Sequence, residues 1–553
     1  MTNLHQQSIS AAVAFVFCAL SGPAIAQEAL DRLDPAQVER EREIQAIAPA
    51  THQKVELEVT EPSGAPAGRG SILVGAVTFT GLRVLTPADF AEIIASRAGS
   101  TLNPAELAAL ATAVADRARA KGFPFATAWI EPQRVASGVL TLNVDEGVIS
   151  EIRFEGFAPP SLRRSLAPLA NGEPARLADV ERRLLLTGDI DGVRIRSARF
   201  FRENGRSVLL VRATQDRFAV RAQISNEGTR PLGPVQVRID ADLNALLFSD
   251  DALTVTYTTT PADLDELQFG RARYAKRVAS GGTEIGITGL ASRARPGSYL
   301  AHVNLESRSW FLGMDVLQPL SRQRRSSFWL QAELGVRDLK QRRQGVLVRH
   351  DRVAAARLTF YGYADVAGGR MRVSSTASRG LGLFDATRAG DPLASRADAD
   401  GIFTSLTNWA DWTSELGQGV SLRLALQSQI SSDPLLIAEE AGLGGGAFLR
   451  GYDWSERTGD QAAMGMVELR YLLDQPFDII RRAQLYAFLD GGKVTNLRGG
   501  YGSGTLASAG GGVRADITKA MGANVEVAVP LTGARYDTGD GSPKLNLRIV
   551  RSF

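Results

Sequence analysis

A cation and a carboxylate about one hairpin apart are the residues with the clearest chemistry in this chain. Arg450 follows the glycine-rich stretch 444–446, and Asp490 lies in an apolar, strand-like run. A guanidinium can bind a carboxylate through two parallel hydrogen bonds, and it needs an anion or water wherever it is enclosed. We therefore expect Arg450 and Asp490 to form an ion pair. The two motifs that carry them are Arg450-Gly451-Tyr452 and Phe488-x-Asp490-x-Gly492.

Other polar residues give little support for catalysis. His52, His302 and His350 are isolated and lack the spacing of metal ligands. The stretch 491–494 lacks the upstream Gly and the Ser or Thr of a phosphate-binding loop, and there is no Gly-x-Ser-x-Gly motif. We expect no enzymatic activity, no metal and no cofactor. The formal net charge is only +3, which gives no indication of nucleic-acid binding.

The first 26 residues have the composition of a secretory signal peptide. They contain no Asp, Glu, Lys or Arg, an apolar stretch runs from Ile9 to Leu20, and Ala24-Ile25-Ala26 provides a small-x-small cleavage site. We therefore expect a signal peptide at 1–26. The only cysteine, Cys18, lies inside it, so the mature chain is expected to have no disulfide and no thiolate site.

Polar and apolar residues alternate along the C-terminal part of the chain. Phe328, Leu330 and Ala332 would share one face of a strand, and Gln331 and Glu333 the other. A period of two with one polar face suits strands with lipid outside and water inside. At about 10 residues per strand plus turns and loops, residues 216–553 predict a transmembrane antiparallel β-barrel of about sixteen strands. The same alternation recurs at 422–427, 467–473 and 545–553.

The N-terminal part reads as a helix, a linker and a repeat. Asp34-Pro35 favours a helix start, with Asp as N-cap and Pro at the first helical position. We place a polar helix in 27–47 and a linker rich in Pro and Gly at 48–70. Residues 71–147 and 148–215 then share the order strand–helix–helix–strand–strand. This indicates two copies of one α+β unit of roughly 70 residues.

The repeated unit resembles a POTRA domain. The first copy carries the resemblance in Lys121–Pro124, Glu131–Arg134 and Asp145–Gly147, and the second in Leu177–Leu186 and Gly188–Val193. A helix, a linker, two such domains and a barrel cover nearly the whole mature chain. In this order it resembles the two-partner secretion transporters of the haemolysin and filamentous-haemagglutinin type.

That resemblance implies a channel in the cell outer membrane with its POTRA domains in the periplasm. The partner would be an unfolded secreted exoprotein with an N-terminal secretion domain, passed to the cell surface without ATP. The POTRA strands would take up the partner as an added strand, and the N-terminal helix would plug the pore. Two alternatives remain. An insertase for other barrels is disfavoured by the count of two POTRA domains, and a passive porin by their presence.

The resemblance also assigns the candidate site residues. Arg450-Gly451-Tyr452 would lie at the tip of a long loop folded into the lumen. Phe488, Asp490 and Gly492 would form its partner motif on the barrel wall. The last residue, Phe553, would be the mark by which the barrel-assembly machinery inserts the chain among outer-membrane lipids. The identity of the exported partner does not follow from the residues.

Overall fold

Two α+β units precede a closed barrel in the computed structural model, which describes residue 34 and residues 57–59, 70–135, 137–156, 158–204 and 206–553. The predicted signal peptide and nearly all of the predicted N-terminal helix lie outside the described residues. So does most of the predicted linker. Within that linker the structure has a short strand, β1 (Leu57–Val59), which the Pro- and Gly-rich composition did not indicate.

The first α+β unit packs its helices on one side of a small sheet. Strand β3 runs parallel to β6, and β5 pairs antiparallel with β6, while β2 and β4 form a separate ribbon. Helix α2 begins at a capping box, because Asn103 accepts from the Glu106 amide and Glu106 accepts from the Asn103 amide. The elements are β2 Ile72–Val74, β3 Ala76–Thr80, α1 Ala91–Ala95, β4 Ser100–Leu102, α2 Pro104–Ala120, β5 Thr127–Trp129 and β6 Val139–Asp145.

Glu146, in one of the runs that carry the family resemblance, holds the first unit together. Its carboxylate is almost fully buried and accepts hydrogen bonds from three consecutive backbone amides, those of Arg83, Val84 and Leu85. The next residue, Gly147, has a φ of +89°, and a Cβ there would lie 2.6 Å from the Cβ of Phe125. The conspicuous acidic residue of this run is therefore structural.

The second unit repeats the order strand–helix–helix–strand–strand without counterparts of β2 and β4, and its sheet has four strands. The sheet order is β1–β8–β9–β7, and β1 runs parallel to β8, with Leu57 opposite Ala198 and Val59 opposite Phe200. A segment that precedes both units thus covers one edge of the second unit's sheet. The elements are β7 Glu151–Gly156, α3 Pro160–Leu166, α4 Leu177–Gly188, β8 Val193–Glu203 and β9 Arg206–Gln215.

Sixteen antiparallel strands close the barrel, as the alternation predicted. Closure comes from pairing of the first barrel strand with the last, over Arg221–Ser225 and Arg548–Ser552. The predicted faces are also confirmed, because Leu334 and Leu469 are exposed on the outer wall while Trp329 and Glu468 are buried inside. The strands are β10 Phe218–Ser225, β11 Gln236–Asn244, β12 Asp251–Thr259, β13 Leu267–Arg277, β14 Glu284–Ala294, β15 Leu305–Arg322, β16 Ser326–Arg343, β17 Val346–Val366, β18 Gly369–Leu381, β19 Thr404–Gly417, β20 Val420–Ser431, β23 Gln461–Phe477, β24 Ile480–Thr495, β25 Gly504–Asp516, β26 Met521–Pro530 and β27 Lys544–Ser552.

The barrel has an inner end, next to the α+β units, and an outer end. Strand β10 begins directly after the second unit, so Phe218 marks the inner end and the connection after Ser225 the outer end. At the inner end, Arg322 binds both carboxylate oxygens of Asp189 at 2.7 Å, and Arg183 donates to the Ser280 carbonyl at 2.9 Å. These contacts join α4 of the second unit to the turns of the barrel. Among the described residues, no helix is long and apolar enough to cross a membrane.

Replacing Glu146 tests its role in the first unit. Glu146→Ala would leave three backbone amides, of which that of Leu85 is buried, without their acceptor, at a cost of roughly 2–3 kcal/mol in the free energy of unfolding. Glu146→Gln retains one carbonyl oxygen and should cost about half as much. The measurement is hydrogen exchange at residues 83–85 in the whole protein, with Glu131→Gln, a more exposed acid of the same unit, as control. Equal protection in Glu146→Ala and wild type would contradict this role.

Candidate functional site in the barrel lumen

The long connection between β20 and β23 turns back into the barrel. It forms its own antiparallel ribbon, in which β21 (Ala441–Leu443) pairs with β22 (Arg457–Gly459). Gly444 and Gly445, which lead from β21 toward the tip, have φ values of +104° and +114°. A Cβ at Gly444 would lie 2.1 Å from the Asp453 carbonyl oxygen. Glycine is therefore required at Gly444 and Gly445 by both backbone conformation and space.

The tip of this loop is among the most enclosed parts of the barrel. Phe448 and Arg450 are each 4% exposed, and Leu449 and Tyr452 are fully buried. The apolar tip residues pack in one cluster with side chains of the barrel wall. The wall members of that cluster are Trp409, Ala425, Ala462, Met464, Met466, Val494 and Leu506.

The guanidinium of Arg450 lies among three buried carboxylates. Its Nη1 is 2.8 Å from Glu468 Oε2 and 3.0 Å from Glu526 Oε2. Asp490 is the third, with Oδ2 at 3.5 Å from Nε, and Nε makes no hydrogen bond. The ion pair expected between Arg450 and Asp490 is present, but Nε makes no hydrogen bond to that carboxylate. The two glutamates, which come from β23 and β26, take the hydrogen bonds of the cation.

Asp490 binds the backbone of the loop instead. Its Oδ2 accepts from the Arg450 amide at 3.2 Å, while its Oδ1 accepts from the Ser508 hydroxyl. The Ser508 oxygen in turn accepts from the Gly451 amide at 3.1 Å. Two consecutive amides of the tip are thereby fixed to β24 and β25. Asp490 thus determines where the tip lies. Glu468 and Glu526 compensate the positive charge of Arg450.

Phe488 and Gly492 complete the wall motif on the same face of β24. The Phe488 ring lies under the guanidinium, with the Arg450 Cζ 3.3 Å from the ring centre. Gly492 leaves space for the loop, because a Cβ there would be 2.9 Å from the Met464 Cβ and 3.2 Å from Leu449 Cδ1. The spacing of two residues therefore has a simple physical cause, since alternate residues of a strand point to one face.

Tyr452 and Gly451 fix the other side of the tip. The Tyr452 hydroxyl accepts from the Thr532 amide at 3.0 Å and contacts the Ala507 carbonyl at 3.2 Å. A Cβ on Gly451 would come within 3.0 Å of the backbone at Val529 and Pro530. All six predicted residues of the two motifs thus meet in one site, and the tip contacts strands β23 to β26.

Glu468 and Glu526 were not singled out from the sequence as partners of the loop. Both follow the alternation rule, because Glu468 lies between Val467 and Leu469, and Glu526 between Val525 and Val527. Their inward direction could be predicted from that pattern. Their meeting at Arg450 could not, because it depends on the stagger between strands. Glu468 also binds Arg470 at 2.6 Å and Arg514 at 2.8 Å.

A second buried arginine fastens the outer part of the loop. Arg396, from the connection between β18 and β19, lies 2.9 Å from Asp460 and 3.2 Å from Glu440. Arg357 on β17 binds the neighbouring Glu439 at 2.7 Å. These contacts hold the base of the inward loop against β17 of the wall and against the connection between β18 and β19. No pattern in the sequence singled out this attachment.

One residue of the N-terminal segment also lies inside the barrel. Asp34 is 5% exposed, accepts from the Ser309 hydroxyl at 3.2 Å and lies 3.7 Å from Arg337. Ser309 and Arg337 are on the lumen face of β15 and β16. At the far end of the chain, Phe553 is exposed and its amide donates to the Val220 carbonyl at 2.8 Å. In the described residues, no cluster of three or more His, Cys, Asp or Glu side chains is arranged to hold a metal.

Comparisons with known protein families match most of the barrel and the first α+β unit. The model of the haemolysin secretion/activation protein family ShlB/FhaC/HecB matches residues 205–515, more than half of the chain. The model of the ShlB-type POTRA domain matches residues 72–147. No curated protein sequence matches the chain.

Solved structures show the same fold at low identity. CdiB from Escherichia coli is 20% identical, with a TM-score of 0.70 over 95% of this chain and 98% of that chain. CdiB from Acinetobacter baumannii is 15% identical, with a TM-score of 0.63 over 96% and 99%. BamA from Haemophilus ducreyi lacking POTRA domains 1–3 is 13% identical, with a TM-score of 0.51 over 86% and 100%.

Removing the charge of Arg450 should release the tip more than altering Asp490. Arg450→Ala leaves Glu468 and Glu526 enclosed without this cation, which costs about 3–5 kcal/mol in a dry interior and nearer 1 kcal/mol where water enters. Asp490→Asn keeps an oxygen for the tip amide and should have a smaller effect. The measurement is hydrogen exchange at residues 448–452 in the folded barrel.

A double mutant and a control complete this experiment. Arg450→Ala with Asp490→Asn should resemble the larger single effect, because one docked tip can be released only once. Arg482→Ala, at the exposed inner end of β24, should leave exchange at the tip unchanged. Additive effects of the two site substitutions would show that these residues act separately.

Proposed function

Because the chain belongs to the ShlB/FhaC/HecB family of haemolysin secretion/activation proteins, we propose a route for the partner protein that it exports. The chain is an outer-membrane transporter for a secreted partner, with POTRA domains in the periplasm. In the proposed route the partner docks on the POTRA domains as an unfolded chain with an N-terminal secretion domain. The inward loop and the N-terminal segment close the lumen until it arrives. The observation that carries this proposal is the burial of Arg450 among Glu468, Glu526 and Asp490.

Docking by strand addition needs a sheet edge with no partner strand, and among the described strands β3, β5 and β7 each have one. No described strand pairs with the outer edge of β3 in the first POTRA domain, so its backbone groups could accept an extended segment. In the second domain, the edge of β8 is already covered by Leu57–Val59. We infer that a partner segment reaches the open β3 edge first, and that it binds at β8 only by displacing β1.

The loop acts as a gate because it lies in the path through the barrel and is held by polar contacts as well as by apolar packing. The tip is held by charge pairs and by amide hydrogen bonds to Asp490 and Ser508, which an extended polypeptide could replace with its own hydrogen bonds. Free movement of the tip therefore requires a substitute for these contacts. In this proposal the passing partner supplies it. Folding of the partner outside the cell then makes the export directional.

The N-terminal segment supplies the second closure. Asp34 brings one end of it to the lumen wall at Ser309 and Arg337, across the barrel from the strands that hold the loop tip. The predicted helix 27–47, which contains Asp34, is the proposed plug. Phe553 is proposed as the residue through which the barrel-assembly machinery recognises the chain. Neither role involves catalysis, and the family is one of transporters.

Deleting the first POTRA domain should separate docking from barrel assembly. We expect a chain lacking residues 72–147 to insert as a folded, heat-modifiable barrel and to lose nearly all partner export, because the open β3 edge is gone. Export is measured as extracellular partner divided by folded transporter. The substitution Glu131→Gln within the same domain, at an exposed side chain, serves as control. Normal export by the deletion would refute docking at this domain.

Weakening the contact between Asp34 and Arg337 should open the lumen to ions. We expect Asp34→Asn and Arg337→Gln each to raise the frequency of large-conductance openings in planar bilayers, because each removes one charge of the pair. The double substitution should add little to the singles. Arg308→Gln, an exposed arginine next to Ser309, should behave as wild type. Unchanged conductance in both single variants would show that this contact does not close the pore.

A further inference from the structure

The outer wall of the barrel carries a groove that no secretion step uses. Its volume is about 650 Å³, and it lies across strands β14 to β19. Its floor consists of small side chains on the lipid face, Ala332, Ala356 and Ala377, and its sides include Leu334 and Leu358. Small residues between larger apolar ones on a strand surface leave a shallow apolar channel along the wall.

The groove crosses the wall diagonally from the inner to the outer end. One row of paired residues runs from Ile285 through Val316, Ala332 and Leu358 to Ala377. Ile285 is the second residue of β14, at the inner end of the barrel. Ala377 lies four residues before the end of β18, at the outer end. This slope follows from strand tilt, because a row perpendicular to tilted strands changes depth in the membrane.

An arginine without a carboxylate lies at the outer end of this groove. Arg379 is exposed, and its Nη1 donates to the Thr404 hydroxyl at 2.6 Å. Across the described residues, no carboxylate lies within salt-bridge distance of Arg379. Three other polar side chains on the same wall bind one another. Ser375 donates to Asn408 at 2.8 Å, and Asn408 donates to Ser428 at 3.3 Å. Arg379 is thus a cation on the lipid face that lacks an anion, and such a position is costly unless an anion is supplied.

We propose that this groove binds an acylated, phosphate-bearing glycolipid of the outer leaflet. One acyl chain lies along the alanine floor, and a phosphate accepts from the Arg379 guanidinium and the Thr404 hydroxyl. A guanidinium matches phosphate oxygens in charge and geometry. The depth of Arg379 selects the leaflet, because it lies at the barrel end remote from the periplasmic POTRA domains. The proposal depends on the outer-membrane location and not on the route of the partner.

The test uses the whole transporter, stripped of lipid in detergent and titrated with bisphosphorylated lipid A. Native mass spectrometry then counts the bound lipid. Wild type should retain one lipid A, and Arg379→Gln should weaken that binding about tenfold, the size expected for a hydrogen bond to a charged group. Ala356→Leu should weaken it as well by filling the floor. Arg343→Gln, an exposed arginine at the outer tip of β16, should bind as wild type.

Two further lipids test the chemistry and the leaflet. Lipid A without phosphate should bind wild type and Arg379→Gln alike, because the anion is missing. Phosphatidylglycerol should bind wild type more weakly than lipid A, and equal binding would overturn the assignment to the outer leaflet. Wild-type binding of lipid A by both Arg379→Gln and Ala356→Leu would overturn the site itself. Heat-modifiable mobility checks that each variant is folded, and Arg379→Gln suffices should Ala356→Leu fail to fold.

Discussion

The enclosed charge of Arg450 is the constraint on which the lumen depends. A guanidinium that is 4% exposed must have anions at hand, and Glu468, Glu526 and Asp490 supply them from three different strands. The tip can therefore lie in one place only, where all three reach it. Space for the tip comes from residues without side chains, Gly451 on the loop and Gly492 on the wall. Loop and wall are complementary in both charge and shape.

Much of the fold could be predicted from the sequence, because the polar and apolar residues of each strand indicate which of its faces meets lipid and which meets the lumen. Alternation along β16 and β23 distinguishes the lipid face from the lumen face locally, and the repeated order of elements reveals two α+β units. Strand β1 could not be foreseen. Its three residues lie in a stretch with the composition of a linker, and they become a strand only because β8 offers an edge. Pairing of this kind depends on a distant partner and leaves no local pattern.

The site shows the same division between local and distant information. Arg450 and Asp490 were expected to meet, and they do, but through the tip backbone more than through the guanidinium. Which acids reach the cation depends on how β23, β24 and β26 are staggered, and stagger is a property of the closed barrel. The attachment of Arg396 to Asp460 was missed for a related reason. It joins two loops, in which the period of two that guides strand prediction is absent.

The N-terminal segment has two anchor points, Asp34 on the lumen wall and Leu57–Val59 on the sheet of the second α+β unit. Both belong to one covalent chain, so each anchor raises the effective concentration of the other at its binding surface. Displacing β1 from β8 lengthens the tether that holds Asp34 and lowers that concentration. In the proposed route, occupancy of this strand edge and closure of the pore are therefore thermodynamically linked, without any change in the barrel itself.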